Sequence, residues 1–168
     1  MVLLIAMLAD VSADAGVYRG AVGVRADGRL AFGPILRAAD EGLARLAALQ
    51  VERRRPGADP LEIQFEKNVN AEVARKVLDR VRGSALDIPT CDWAPDSARL
   101  KAPECTLVFA ADSPLLQTEI RTRMMAARQG YVEMRGKDQV KAAKYLEAMR
   151  ALQRMSVDVA RRVPATER

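Results

Sequence analysis

Residues 17–35, VYRGAVGVRADGRLAFGPI, hold the fold decision. Apolar and small residues run through 17–24 and 29–35, and between them stands Ala26-Asp27-Gly28. Asp-Gly tolerates the positive φ of a tight hairpin, so the stretch reads as two antiparallel strands. Upstream, Val2, Leu3, Leu4, Ile5, Met7 and Leu8 form a short continuous apolar run that ends at Asp10. A span of membrane needs about 20 apolar residues, and this run is half that. A secretory signal is the alternative, because Ala13-Asp14-Ala15 resembles a small-residue cleavage site, but no Lys or Arg precedes Arg19. The run reads best as a strand buried on both faces, which predicts a three-strand meander with Asp10 at the tip of its first strand.

Downstream, Pro34 closes the third strand. Leu36, Ala39, Leu43, Leu46 and Leu49 then recur at helical spacing until Arg53-Arg54-Arg55-Pro56-Gly57 ends the helix. Leu61, Ile63 and Phe65 alternate with Glu62, Gln64 and Glu66, predicting a fourth strand with one drier face. Asn68 or Asn70 can cap a helix whose apolar positions are Val73, Val77, Leu78 and Val81, and Gly83 stops it. Residues 88–93 predict a fifth strand, 94–105 a loop because of Pro95 and Pro103, and 106–110 a further strand. From Leu115 the pattern is helical to Val163, with a break at Gly130. No repeat or linker interrupts the chain, so residues 1–168 read as a single α/β domain with a mainly helical part over 115–163.

Composition narrows the chemistry. Of 168 residues, 49% are apolar and 29% charged, as in an ordinary globular protein. Histidine is absent and only Cys91 and Cys105 are present, which excludes Cys/His zinc sites and every histidine-based acid, base or triad. The two cysteines read as reduced, half-buried thiols in a cytoplasmic protein. A net charge of +5 favours acidic partners, nucleic acid first, against the plainer reading of a solvated basic surface. Arg121, Arg123, Arg128, Arg135, Lys137, Lys141 and Lys144 crowd the helical part, and Arg99 and Lys101 would extend their surface toward a phosphate backbone.

The order of these segments resembles the ribonuclease H-like superfamily, in particular the RuvC-type Holliday-junction resolvases. LADVSADAGVYRGAVGVRADGRLAFGPI (8–35) resembles their first strand, acidic tip and hairpin. DEGLARLAAL (40–49) resembles the following helix, and PLEIQFEKN (60–68) the strand ending in a second carboxylate. IPTCDWAPDSARLK (88–101) resembles a strand and loop lying against DNA, and RGKDQVKAAKYLEAM (135–149) the Lys-rich start of a helix. The resemblance implies a mixed central sheet flanked by helices, with Asp10 or Asp14, Glu66 and Asp158 as catalytic and metal-ligating carboxylates. It further implies Mg2+ or Mn2+ as cofactor, and Arg99, Lys101, Arg135, Lys137, Lys141 and Lys144 on DNA. The expected activity is cleavage of branched DNA by a metal-dependent endonuclease, as a homodimer suited to a two-fold symmetric junction and without a membrane. The chain departs from the family in offering one acid, Asp158, in SVDVARR where two are usual, and residues 105–135 have no counterpart. A relative that keeps the fold without catalysis, as a nucleic-acid-binding or assembly subunit, fits that departure. The stretch from VRADGRL (24–30) through PLEIQFEKNVNAEVARKVLDRV (60–81) also resembles the periplasmic interaction domain of ExbD/TolR-type envelope transport proteins, which carry a basic segment and a membrane helix upstream.

Overall fold

Arg25-Ala26-Asp27-Gly28 turns the chain back on itself as the sequence predicts. The Arg25 carbonyl accepts from Gly28 N–H at 3.0 Å, and Gly28 takes φ +85°, which a side chain would resist. The computed structural model describes residues 18–87, 90–101 and 105–162. The turn joins β1 (Val22–Val24) to β2 (Leu30–Phe32), and a second tight turn at Gly33-Pro34, with Gly33 at φ +63°, leads into β3 (Ile35–Arg37). The single strand read over 29–35 is thus two strands folded at Gly33-Pro34, so the meander seen is β1-β2-β3 and not the one read with residues 2–8 as its first strand, and Pro34 sits inside it instead of closing it. Leu36 belongs to β3, opposite Ala31, and not to the helix that its spacing from Ala39 suggested. The strand read over 2–8, Asp10 and Asp14 lie outside the described residues.

Helix α1 (Ala39–Arg53) opens with Asp40 and Glu41, whose charge suits the positive end of the helix dipole. It lies directly on β2: a Cβ at Gly42 would come within 2.8 Å of the Leu30 Cβ. Strand β4 (Leu61–Phe65) pairs parallel to β1. Asn70 then caps α2 (Ala71–Val81), its side chain accepting from the N–H groups of Glu72 and Val73 at 3.0 and 3.2 Å.

The stretch read as a loop contains a strand. Strands β5 (Thr90–Trp93), β6 (Ser97–Lys101) and β7 (Cys105–Ala110) form an antiparallel set, with Pro95 in the turn between the first two. Ala98 and Leu100 alternate with Arg99 and Lys101, a period-two pattern that the flanking prolines masked. Strand β7 then pairs parallel to β4, giving a seven-strand mixed sheet in the order β3-β2-β1-β4-β7-β6-β5.

Two long helices follow, α3 (Pro114–Met134) and α4 (Gln139–Arg162). Ser113 caps the first, and Asp138, accepting from Lys141 N–H at 3.0 Å, caps the second. Gly130 does not break α3. It is the point where α3 runs beneath the Tyr145 ring of α4, which a Cβ would meet at 2.3 Å, and the break comes at 135–138.

One core joins these parts. Val22, Val24, Leu30, Phe32, Leu61, Ile63, Phe65, Ala98, Leu100, Leu107 and Phe109 are all buried, and they pack with Leu46, Val77, Leu116, Ile120, Leu152 and Val159 of the four helices. Phe65 and Phe109 stack at its centre, 4.9 Å between ring centroids. Every strand residue of that core belongs to the same alternating set, so the helices among the described residues gather on one face of the sheet. The sequence predicts an α/β fold with a mixed sheet, and both are present; helices on both sides are not seen among the described residues.

Below that core, Glu119 is buried between two cations. Its carboxylate accepts from Arg82 Nε and Nη2 at 3.0 and 2.9 Å and from Arg123 Nε at 2.8 Å. Arg123 is 5% exposed, and its Nη2 has no partner among the described residues. The carboxylate tethers the end of α2 to α3, and removing it would leave Arg123 buried with nothing to neutralise it. Glu119→Leu is therefore expected to destabilise the protein by about 3–5 kcal/mol. Arg123→Met, which also removes the unpartnered Nη2, is expected to cost about 1 kcal/mol or less. Urea unfolding measures both, and equal losses would contradict the account.

Candidate functional site

The second face of the sheet is the surface that the helices among the described residues leave open. The register places Leu36, Ala31, Gly23, Gln64, Val108, Arg99 and Asp92 in one row across all seven strands, and none of them is buried. Beside it runs a second row of Glu62, Thr106, Lys101 and Thr90 from the four strands β4 to β5.

Charge on this face is balanced by pairs that cross strands. Arg99 of β6 bonds Glu62 of β4 over the intervening β7, and Lys101 Nζ lies 2.8 Å from Asp92; past the ends of β4 and β7, Lys67 Nζ lies 2.6 Å from Asp112. The Gln64 amide, donating at 2.7 Å, and then the Arg99 guanidinium hold the Glu62 carboxyl below its usual range. Lys67 does the same for Asp112. Arg99 and Lys101, expected against DNA, are thus each held by a carboxylate. Phosphates would have to displace those carboxylates first.

Glu66 stands at the tip of β4, as the sequence predicts, and its carboxylate bridges back to the first hairpin. Ala26 N–H donates to Oε2 at 2.6 Å, and Arg25 Nη1 lies 3.0 Å from Oε1. Asp158 is elsewhere. It is exposed on α4, beside Cys91 of edge strand β5, on the covered side of the sheet. Strand β5 is the third strand from β4, about 14 Å away at ordinary strand spacing. The structure therefore does not bring Glu66 and Asp158 together. Among the described residues no group of three acidic or thiol side chains is placed to hold a metal ion.

The cations expected on DNA in the helical part lie close together along the chain. Arg135 and Lys137 lie in or beside the α3–α4 connection, and Lys141 and Lys144 follow within two turns of α4; all four are exposed. Arg123, counted with them in the sequence, is instead the buried partner of Glu119. Residues 114–162 hold eleven Lys/Arg against five Asp/Glu, so the helical pair carries more than the whole net charge of +5. No described helix is long and apolar enough to cross a membrane.

Both cysteines are free thiols, as expected. Burial, and after it the neighbouring Asp92, push the Cys91 thiol up to about 11. Trp93, two residues on, stacks under the Arg162 guanidinium at 4.4 Å and fixes the end of α4 on edge strand β5.

The open-face pairs escaped sequence reading although Glu62 and Gln64 were visible as the wetter side of β4. Their partner Arg99 lies 37 positions on, in a stretch read as loop, and only the strand order brings the two together.

Two measurements check these environments. A depressed carboxyl pKa contributes stability that is present above the unfolded value and lost as pH falls through the folded one. Glu62→Gln is therefore expected to lower stability at pH 7, with the difference from the unsubstituted protein shrinking as pH drops below about 4.5. A pH-independent difference would contradict it. Cys91, with its pKa raised, is expected to resist alkylation by iodoacetamide at pH 8 and to react in the folded protein only as pH approaches 11, whereas the unfolded chain reacts near 9.

No family model, no curated protein and no solved structure matches this chain.

Proposed function

We propose that the chain is a non-catalytic protein-interaction domain that binds its partner across the open face of its sheet, the role implied by the resemblance to ExbD/TolR-type envelope domains. The observation that carries it is the charge pairing on that face. Arg99–Glu62 and Lys101–Asp92 leave a polar surface of matched charge with small and apolar residues, Gly23, Ala31, Leu36 and Val108, along its middle row. Such a surface suits another protein, since most interfaces are about as apolar as the surface around them. It does not suit a phosphate backbone, which calls for unpaired cations. The segment carrying the envelope resemblance, 24–81, spans most of the contiguous unit from β1 to α2.

The rival is a ribonuclease H-like nuclease acting on branched DNA with Mg2+ or Mn2+. In its favour stands the meander followed by β4 and β7 parallel to β1. Against it stand the engagement of Glu66 with Arg25 and Ala26 and the position of Asp158 three strands away.

The test sets the two against each other. On a mobile four-way DNA junction the protein is expected to cut nothing in Mg2+, Mn2+ or EDTA. A photocrosslinking residue replacing Val108 is expected to give a discrete protein adduct in the cells that make the chain. That adduct should vanish with Gln64→Arg, a neighbour on the same row. Metal-dependent cutting abolished by Asp10→Asn, Asp14→Asn or Glu66→Gln would overturn the proposal, as would an adduct indifferent to Gln64→Arg.

A further inference from the structure

We infer that the outer face of α3 is a docking strip for an acidic amphipathic helix of a partner protein. On the side of α3 away from the core, Arg121, Met125, Arg128, Val132 and Arg135, the last just past the final turn, follow one another at spacings of four, three, four and three residues, and all five are exposed. Such spacing keeps them on one stripe. Met125 is 71% and Val132 52% exposed. None of the three arginine side chains makes an ion pair or hydrogen bond with a described residue. The helix's two carboxylates lie off the stripe: Glu119 is buried beneath it, and Glu133 accepts from Gln129 at 3.0 Å along the flank.

Cations and apolar groups thus alternate along one line, each kind recurring every seven residues, about 10.5 Å. A second α-helix carrying a carboxylate every seven residues and an aliphatic side chain between them matches that line in both charge and spacing. A second copy of the same stripe would set arginine against arginine. A lipid surface calls for a continuous apolar face next to a cationic one, and here the two kinds are interleaved. A phosphate backbone would use the arginines and leave Met125 and Val132 without partners. The strip belongs to a different element from the open sheet face, so the two proposals stand or fall separately.

The probe is a synthetic helical peptide of about 21 residues with Glu at every seventh position and Leu at the interleaved three- and four-residue spacings. It is titrated by fluorescence anisotropy against the full chain, and a peptide of the same composition in scrambled order is the control. The ordered peptide is expected to bind at least about tenfold more tightly than the scrambled one. Arg128→Glu is expected to weaken binding about tenfold or more, and Arg121→Glu/Arg128→Glu/Arg135→Glu to reverse the preference toward a peptide with Lys in place of Glu. Met125→Ser should weaken binding without changing its salt dependence. Circular dichroism verifies that these exposed substitutions leave the fold intact. Equal binding of the two peptides would overturn the inference. Tighter binding of a 20-bp duplex, or of vesicles containing phosphatidylglycerol, through the same three arginines would overturn it as well.

Discussion

The alternation of side chains along the strands is the constraint on which the rest of this structure depends. In β4, Leu61, Ile63 and Phe65 point one way and Glu62 and Gln64 the other, and β1, β2, β6 and β7 repeat the division in register. Because one face holds the large apolar groups, all the helical apolar stripes must collect there. A one-residue slip of any strand would exchange the two faces, so register and one-sidedness are a single specification. The stacked Phe65 and Phe109 mark where two parallel strands share that burden at the centre of the sheet.

Charge follows from the same division. On the open face the ions occur in pairs that cross strands, and partly exposed pairs of this kind contribute only about 0–1 kcal/mol each. Their consequence lies less in stability than in neutrality: a face with each cation matched gives no long-range pull on a polyanion. The helical pair is arranged in the opposite way. Glu119 sits buried between Arg82 and Arg123, while Arg121, Arg128 and Arg135 stand outside without a counter-ion among the described residues. The chain's excess of positive charge is therefore concentrated in residues 114–162, which hold eleven Lys/Arg against five Asp/Glu.

What the sequence revealed tracks what is local. The Asp27-Gly28 hairpin, the alternation of β4, the Asn70 cap and the long last helix each rest on a few adjacent residues, and all are present. Features that rest on contacts between distant segments were not legible. Gly130 looked like a break because glycine is a poor helix former, yet the requirement there is room for the Tyr145 ring. Residues 97–101 looked like loop because prolines flank them, although their own alternation is that of a strand. Leu36 fits both a helical and an extended pattern, and pairing with Ala31 decides for the strand. The acids at 66 and 158 share no local property that would reveal whether they meet; strand order alone places one at the tip of the central strand and the other beside edge strand β5.

Glu66 shows how a strand-tip carboxylate acquires its role from what lies opposite. The first hairpin presents it with a backbone N–H from Ala26 and a guanidinium from Arg25, and both lone-pair directions toward the hairpin are filled. Both contacts are solvent-exposed, so they contribute only about 0–1 kcal/mol and act chiefly by positioning the carboxylate. A divalent cation arriving there would meet Arg25 as a resident like charge and would have to displace both donors before it gained a single oxygen ligand. Magnesium gives up its own waters reluctantly and tolerates one or two carboxylates only where further hard ligands complete the octahedron. Glu66 faces Arg25, and among the described residues no group of three acidic side chains is placed to complete a metal site. The carboxylate thus joins the end of β4 to the β1–β2 turn, and in doing so holds the edge of the open face at the register that the alternation requires.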